Sequence, residues 1–159
     1  MIKPVSMNIA CDGSVLVCDR GDNRVKVFSP DGTNLLQSVS DQDCVESPCL
    51  ALRHQDMFYV SYGKAKCVKV FNNEGEFLYK IVTEEPGKLH RPTGLAVDKF
   101  NNLLVCDGKY VQVFTLEGKM VNSIKGQPIQ IQNPLAVAVS NAGQVFITDI
   151  GNHCVHVFE

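Results

Sequence analysis

Seven side chains in this sequence, Arg20, Arg24, Tyr62, Lys64, Lys66, Lys109 and His153, are of the types that hold a partner rather than transform one. Guanidinium and ammonium groups donate charge-assisted hydrogen bonds to carboxylates or phosphates, and the aromatic rings offer faces for stacking. Beside them Asp19, Asp107 and Asp149 recur in equivalent places. Three carboxylates repeated in this way suggest a ring of charge. An aspartate at the end of a strand more commonly accepts hydrogen bonds from its own loop, and a structural role is expected for all three. His54, His90, His153 and His156 fall in turns, linkers or outer strands, where surface or packing roles are expected, and no metal ligand set or catalytic residue is assigned.

These residues are positioned by a repeated unit, clearest between Arg91 and Ile124. It reads as four short strands, 94–98, 103–106, 110–114 and 120–124, punctuated by Asn101-Asn102, Asp107-Gly108 and Glu117-Gly118. These are turn residues that tolerate positive φ or end a strand. Val-x-Val-Phe occurs at 25–28, 68–71, 111–114 and 155–158, so its phenylalanines are 43, 43 and 44 positions apart. Pro4, Pro48, Pro92 and Pro134 advance independently by 44, 44 and 42. One period held by two marks, with four strands per unit, predicts an all-β propeller of four blades. The repeats run over 4–39, 48–81, 91–124 and 134–159, the last lacking its outer strand. In the first, the strands are expected at 7–10 and 15–18, and Ser29-Pro30-Asp31-Gly32 reads as a type I turn with glycine ready for a bulge.

With 45% hydrophobic residues the 159-residue chain can bury a sizeable core, and its net charge of −2 exerts no general pull toward nucleic acid or anionic membrane. The start, Met1-Ile2-Lys3-Pro4, has no signal-like apolar run, and no stretch approaches the ~20 apolar residues of a membrane span. A cytoplasmic location is expected. The seven cysteines fit it. Cys18 and Cys106 share one repeat position and Cys67 and Cys154 another, so they read as small packing residues rather than disulfide partners. Cys44 and Cys49, with Pro48 between them, show no zinc spacing.

Asp19-Arg20-Gly21-Asp22-Asn23-Arg24, Asp149-Ile150-Gly151-Asn152-His153-Cys154 and Arg91-Pro92-Thr93-Gly94-Leu95-Ala96-Val97-Asp98 resemble the signature of NHL repeats. The second copy, with Ser61 in place of the aspartate and Tyr62-Gly63-Lys64-Ala65-Lys66 as its connection, is a degenerate member. The resemblance implies a six-bladed propeller, often the C-terminal part of tripartite-motif (RING, B-box, coiled-coil) ubiquitin ligases. It therefore implies a longer parent chain, whose upstream blades would close the ring and shield the open strand edges.

In such a blade the connection from the second strand to the third lies at the same end as the linker between blades. That end carries the seven candidates, with Asp41, Asp43, Glu46, Glu84, Glu85, Lys88, His90, Arg91 and Lys125 from the linkers. Loops on a rigid scaffold commonly carry binding residues. The first expectation is a non-catalytic platform for a protein partner or substrate. The alternative partner is RNA, with the cations on phosphates and Tyr62 or Tyr110 on a base. A remoter alternative, implied by relatives of NHL repeats, is a metal-dependent lyase or lactonase. The first strands are almost wholly apolar where that chemistry needs inward polar ligands, so no enzyme activity and no cofactor are expected of this segment.

Overall fold

The computed structural model describes residues 1–41, 46–82, 88–125 and 130–159; Asp43, Cys44, Glu84 and Glu85 lie outside them. The described residues form strands and turns without a helix, and none could cross a membrane as one. Two compact units divide the chain, Met1–Ile81 and Val82–Glu159.

The first unit holds two antiparallel four-stranded blades. One is β1 (Pro4–Ile9), β2 (Val15–Asp19), β3 (Arg24–Phe28) and β4 (Leu35–Val39); the other is β5 (Leu50–His54), β6 (Met57–Tyr62), β7 (Cys67–Phe71) and β8 (Phe77–Ile81). The second unit repeats the plan with β9 (Pro92–Val97), β10 (Asn102–Asp107), β11 (Tyr110–Thr115) and β12 (Met120–Ile124). Its last blade has three strands, β13 (Pro134–Val139), β14 (Val145–Asp149) and β15 (Cys154–Phe158).

The first strand of the first blade begins earlier than the apolar pattern suggests: β1 starts at Pro4 rather than Met7. A proline at the first strand position forfeits no ladder donor, so the pairing runs back through it to Asp19. The outer hairpin follows its turn residues. Gly32 (φ 73°) donates its N–H to Ser29 O at 2.8 Å, and the β3–β4 register slips by one between Val27 and Phe28, the bulge that a left-handed glycine permits. The second blade departs at its first hairpin. Gln55 and Asp56 both take positive φ, 48° and 58°, in a two-residue mirror-image turn.

Blades pack face to face through alternate strand positions. In the first unit Leu16, Cys18, Val25 and Val27 meet Ala51, Phe58, Val60 and Phe71. In the second, Leu104, Cys106, Val111 and Val113 meet Val137 and Ile147. Phe58, Phe71 and Phe114 are fully buried, each contributing about 1.5–3 kcal/mol by burial. The six cysteines among the described residues form no disulfide with one another; Cys18, Cys67 and Cys106 lie buried, while Cys11 and Cys154 are exposed.

Candidate functional site

Each recurring aspartate clasps the linker that leads into its own blade. Asp19 accepts backbone N–H bonds from Ile2 (2.8 Å), Lys3 (2.7 Å) and Gly21 (3.0 Å). Asp107 accepts them from His90 (2.7 Å) and Arg91 (2.6 Å). Asp149 accepts them from Gln132 (2.9 Å), Asn133 (2.9 Å) and Gly151 (3.1 Å). The carboxylates are buried, so their place is to organise backbone. Burial by itself would raise the Asp19 carboxyl. The Lys3 N–H, the Lys26 ammonium and the Ile2 and Gly21 N–H groups outweigh it and hold the carboxyl below the usual range. At Asp149 burial is likewise overcome, by Gln132, Asn133, His156 and Asn152.

The remaining valence of each clasp comes from the middle residue of Val-x-Val-Phe, a position that the sequence reading passed over. Lys26 Nζ lies 2.9 Å from Asp19 and 2.6 Å from Asp22, which together raise its pKa. Gln112 Nε2 donates to Asp107 at 2.8 Å, and His156 Nε2 lies 3.1 Å from Asp149. In the second blade, where Ser61 replaces the aspartate, Lys69 turns to linker Asp41 at 2.8 Å. The same His156 nitrogen faces Cys154 Sγ at 3.6 Å. One nitrogen serving both groups cannot relay a proton between them, so this trio lacks the nucleophile–base–carboxylate arrangement.

The loop candidates fall out unequally. Arg24, Lys64, Lys66, Lys109 and His153 are exposed. Arg20 is exposed but reaches across to the second blade, its Nε donating to Pro48 O and its Nη2 to Cys49 Sγ, both at 3.4 Å. Tyr62 does not belong with them: it is 2% exposed, packed in the core shared by the first two blades, with Lys69 Nζ 4.9 Å from its ring centroid. The alternation Phe58-Val60-Tyr62 already places it on that inner face, because β6 continues through the position read as loop.

The third blade also carries a cleft of about 500 Å³ lined by Lys88, His90, Tyr110, Gln112, Met120, Ser123 and Lys125. Lys88, His90 and Lys125 had appeared only as linker residues and Tyr110 only as a stacking ring. Arg53 was missed as well. It bridges the first two blades through Asp12 at 2.5 Å. No three of His, Cys, Asp and Glu among the described residues come together as a metal-holding group.

The NHL repeat family model matches residues 132–158. No curated protein gives a significant match. Among solved structures, virginiamycin B lyase from Staphylococcus aureus aligns with 98% of this chain and 55% of its own, at TM-score 0.73 and 13% identity. The WD40 beta propeller domain of Doa1 aligns over 98% and 50%, at TM-score 0.74 and 12% identity. A gluconolactonase from Xanthomonas campestris aligns over 92% and 54%, at TM-score 0.71 and 20% identity. The chain thus spans about half the length of these structures. At such identities the likeness shows the fold, a β-propeller built of antiparallel blades. It also overturns the expectation that the segment is not an enzyme. A lyase and a lactonase stand beside a WD40 domain among its structural neighbours, so the apolar first strands were no ground for setting catalysis aside.

Proposed function

We propose that this chain is a recognition platform for a polypeptide partner, held in the first unit by Arg20, Arg24, Lys64 and Lys66 and in the second by Lys109 and His153. One contrast carries the reading. Lys26 and Lys69 are spent in ion pairs that fasten a strand end or a linker, and Arg53 in one that joins the first two blades. Lys64, Lys66 and Lys109 in the loops and Arg24 at the first position of β3 sit exposed without a carboxylate partner among the described residues. Solvated cations on rigid loops attract and orient an acidic surface. The proposal concerns binding and is independent of whether a reaction follows.

The ubiquitin-ligase setting belongs to this proposal on the strength of the tripartite-motif resemblance, with the bound polypeptide as substrate. A cytoplasmic site of action is supported by the unbridged thiols among the described residues.

The test compares polyglutamate with a single-stranded RNA oligonucleotide over a salt series, using the wild type and Lys64→Ala/Lys66→Ala. Polyglutamate binding that the double substitution weakens at least ~3-fold is expected for a rim of exposed charges. Preferential RNA binding, with a salt slope that drops by about one unit per substituted lysine, would replace the polypeptide by RNA. Binding of either probe that ignores the substitutions would show the wrong surface has been chosen.

A further inference from the structure

The position shared by Lys26, Lys69, Gln112 and His156 differs in the third blade in one chemical respect. Lys26 and Lys69 are saturated by carboxylates, and His156 is set against Asp149. Gln112 alone brings a neutral amide. Its Nε2 is used by Asp107, and its Oε1 is buried without a hydrogen-bond partner among the described residues. Gln112 is itself 2% exposed and lines the cleft of the third blade. A buried acceptor left without a donor is a cost that the free protein bears and that a ligand N–H removes.

The rest of the lining fixes the sign of the ligand. Lys88 and Lys125 are exposed at the cleft and have no carboxylate partner among the described residues. Lys125 Nζ stands 5.6 Å from the Tyr110 ring centroid, which steers its ammonium over the strand. Ser123 lies directly across the ladder from Gln112 and adds a hydroxyl. Asp107 beneath is buried and already accepts from the His90 and Arg91 backbone and from Gln112, with His90 Nδ1 at 3.5 Å. Its charge is therefore met by these donors.

We propose that this cleft binds an acidic peptide segment, carboxylates on Lys88 and Lys125 and a backbone N–H on Gln112 Oε1. A peptide satisfies both demands at once, since it supplies repeated N–H donors beside its carboxylates, and the cleft volume suits a few residues. The proposal rests on the polypeptide-binding reading above and gives it a second, specific anchor.

The test is nitrogen-15 NMR of the 159-residue chain with acetyl-Asp-Glu-Asp-Glu-amide, against its neutral counterpart acetyl-Asn-Gln-Asn-Gln-amide and against glutarate. Saturable shifts at the Gln112 side-chain amide and the Tyr110 and Ser123 backbone are expected with the acidic peptide. Lys88→Ala/Lys125→Ala should weaken them about 10-fold, as loss of charge-assisted contacts predicts, with the remaining spectrum unchanged. Equal response to the neutral peptide, an affinity untouched by the double substitution, or glutarate binding as tightly as the peptide would each overturn it. Shifts confined to Arg24, Lys64 and Lys66 would overturn this cleft and leave the loop platform standing. Shifts confined to the cleft would support it and count against the loops.

Discussion

Lys69 Nζ lies 2.8 Å from Asp41 Oδ2, so the second blade draws from its linker the carboxylate that its neighbour in the same unit supplies from Asp19. The side chains are 7% and 16% exposed, which makes this a nearly buried pair. Asp41→Ala is expected to cost about 3 kcal/mol, because it removes the carboxylate from a nearly buried ion pair. Adding Ser61→Asp should recover part of that loss in urea unfolding, by returning the acid to the end of the second strand. A double variant no more stable than Asp41→Ala would show that the two positions are not interchangeable.

Acid should undo the clasps before it affects the cores. The Asp19 and Asp149 carboxyls are held below their ordinary range in the folded state, so between the two pKa values the unfolded chain binds more protons. Their contribution is therefore complete above the unfolded pKa, about 3.9, and is lost progressively as the pH falls below it toward the folded values. Urea midpoints measured from neutral pH down through this window should fall with pH, and less steeply for Asp19→Asn and Asp149→Asn. Identical acid slopes in the variants would assign the loss to other groups.

Gly94 is constrained by space rather than by φ. A Cβ there would stand 2.7 Å from Ala136 Cα and 2.8 Å from Leu135 O, all backbone that cannot swing aside. Thr93 ties the same approach, its Oγ1 donating to Leu135 O at 2.9 Å. Gly94→Ala should lower stability by about 1–3 kcal/mol through this clash. Gly108→Ala, where a Cβ meets no described residue within 4 Å and only the positive φ of 65° is strained, should cost less. The reverse order would mean that the two blades of the second unit part easily.

The residue before the third strand is left-handed in three blades, as Asn23 (φ 58°), Lys66 (φ 55°) and His153 (φ 54°). Asparagine tolerates this conformation and histidine less so, which makes His153→Asn an expected gain of about 0.5–1 kcal/mol in thermal unfolding. A loss would mean that the imidazole makes a contact worth more than the strain.

The blades were legible because Val-x-Val-Phe and the turn residues are local signals read within one hairpin. The clasps were legible only in half. Gly21 and Gly151 donate from the aspartates' own loops, as a strand-end aspartate suggests. The linker donors lie 16 or 17 residues upstream, beyond any local pattern. The variable x of the motif was treated as a spacer, although its run of Lys26, Lys69, Gln112 and His156 is polar inside an otherwise apolar strand, a readable sign of a buried partner. The cleft could not be read at all, since its lining joins a linker to side chains of both β11 and β12.

The two buried thiols Cys18 and Cys106 are pushed up to about 12 by their apolar surroundings, and one lies in each compact unit. Such thiols react with an alkylating reagent only after the surrounding strands part, because the thiolate is the attacking species and the folded site suppresses it. Their labelling rates are thus two built-in clocks. Read side by side, with exposed Cys11 and Cys154 as the fast reference, they would report whether the two halves of the chain open together or each on its own schedule.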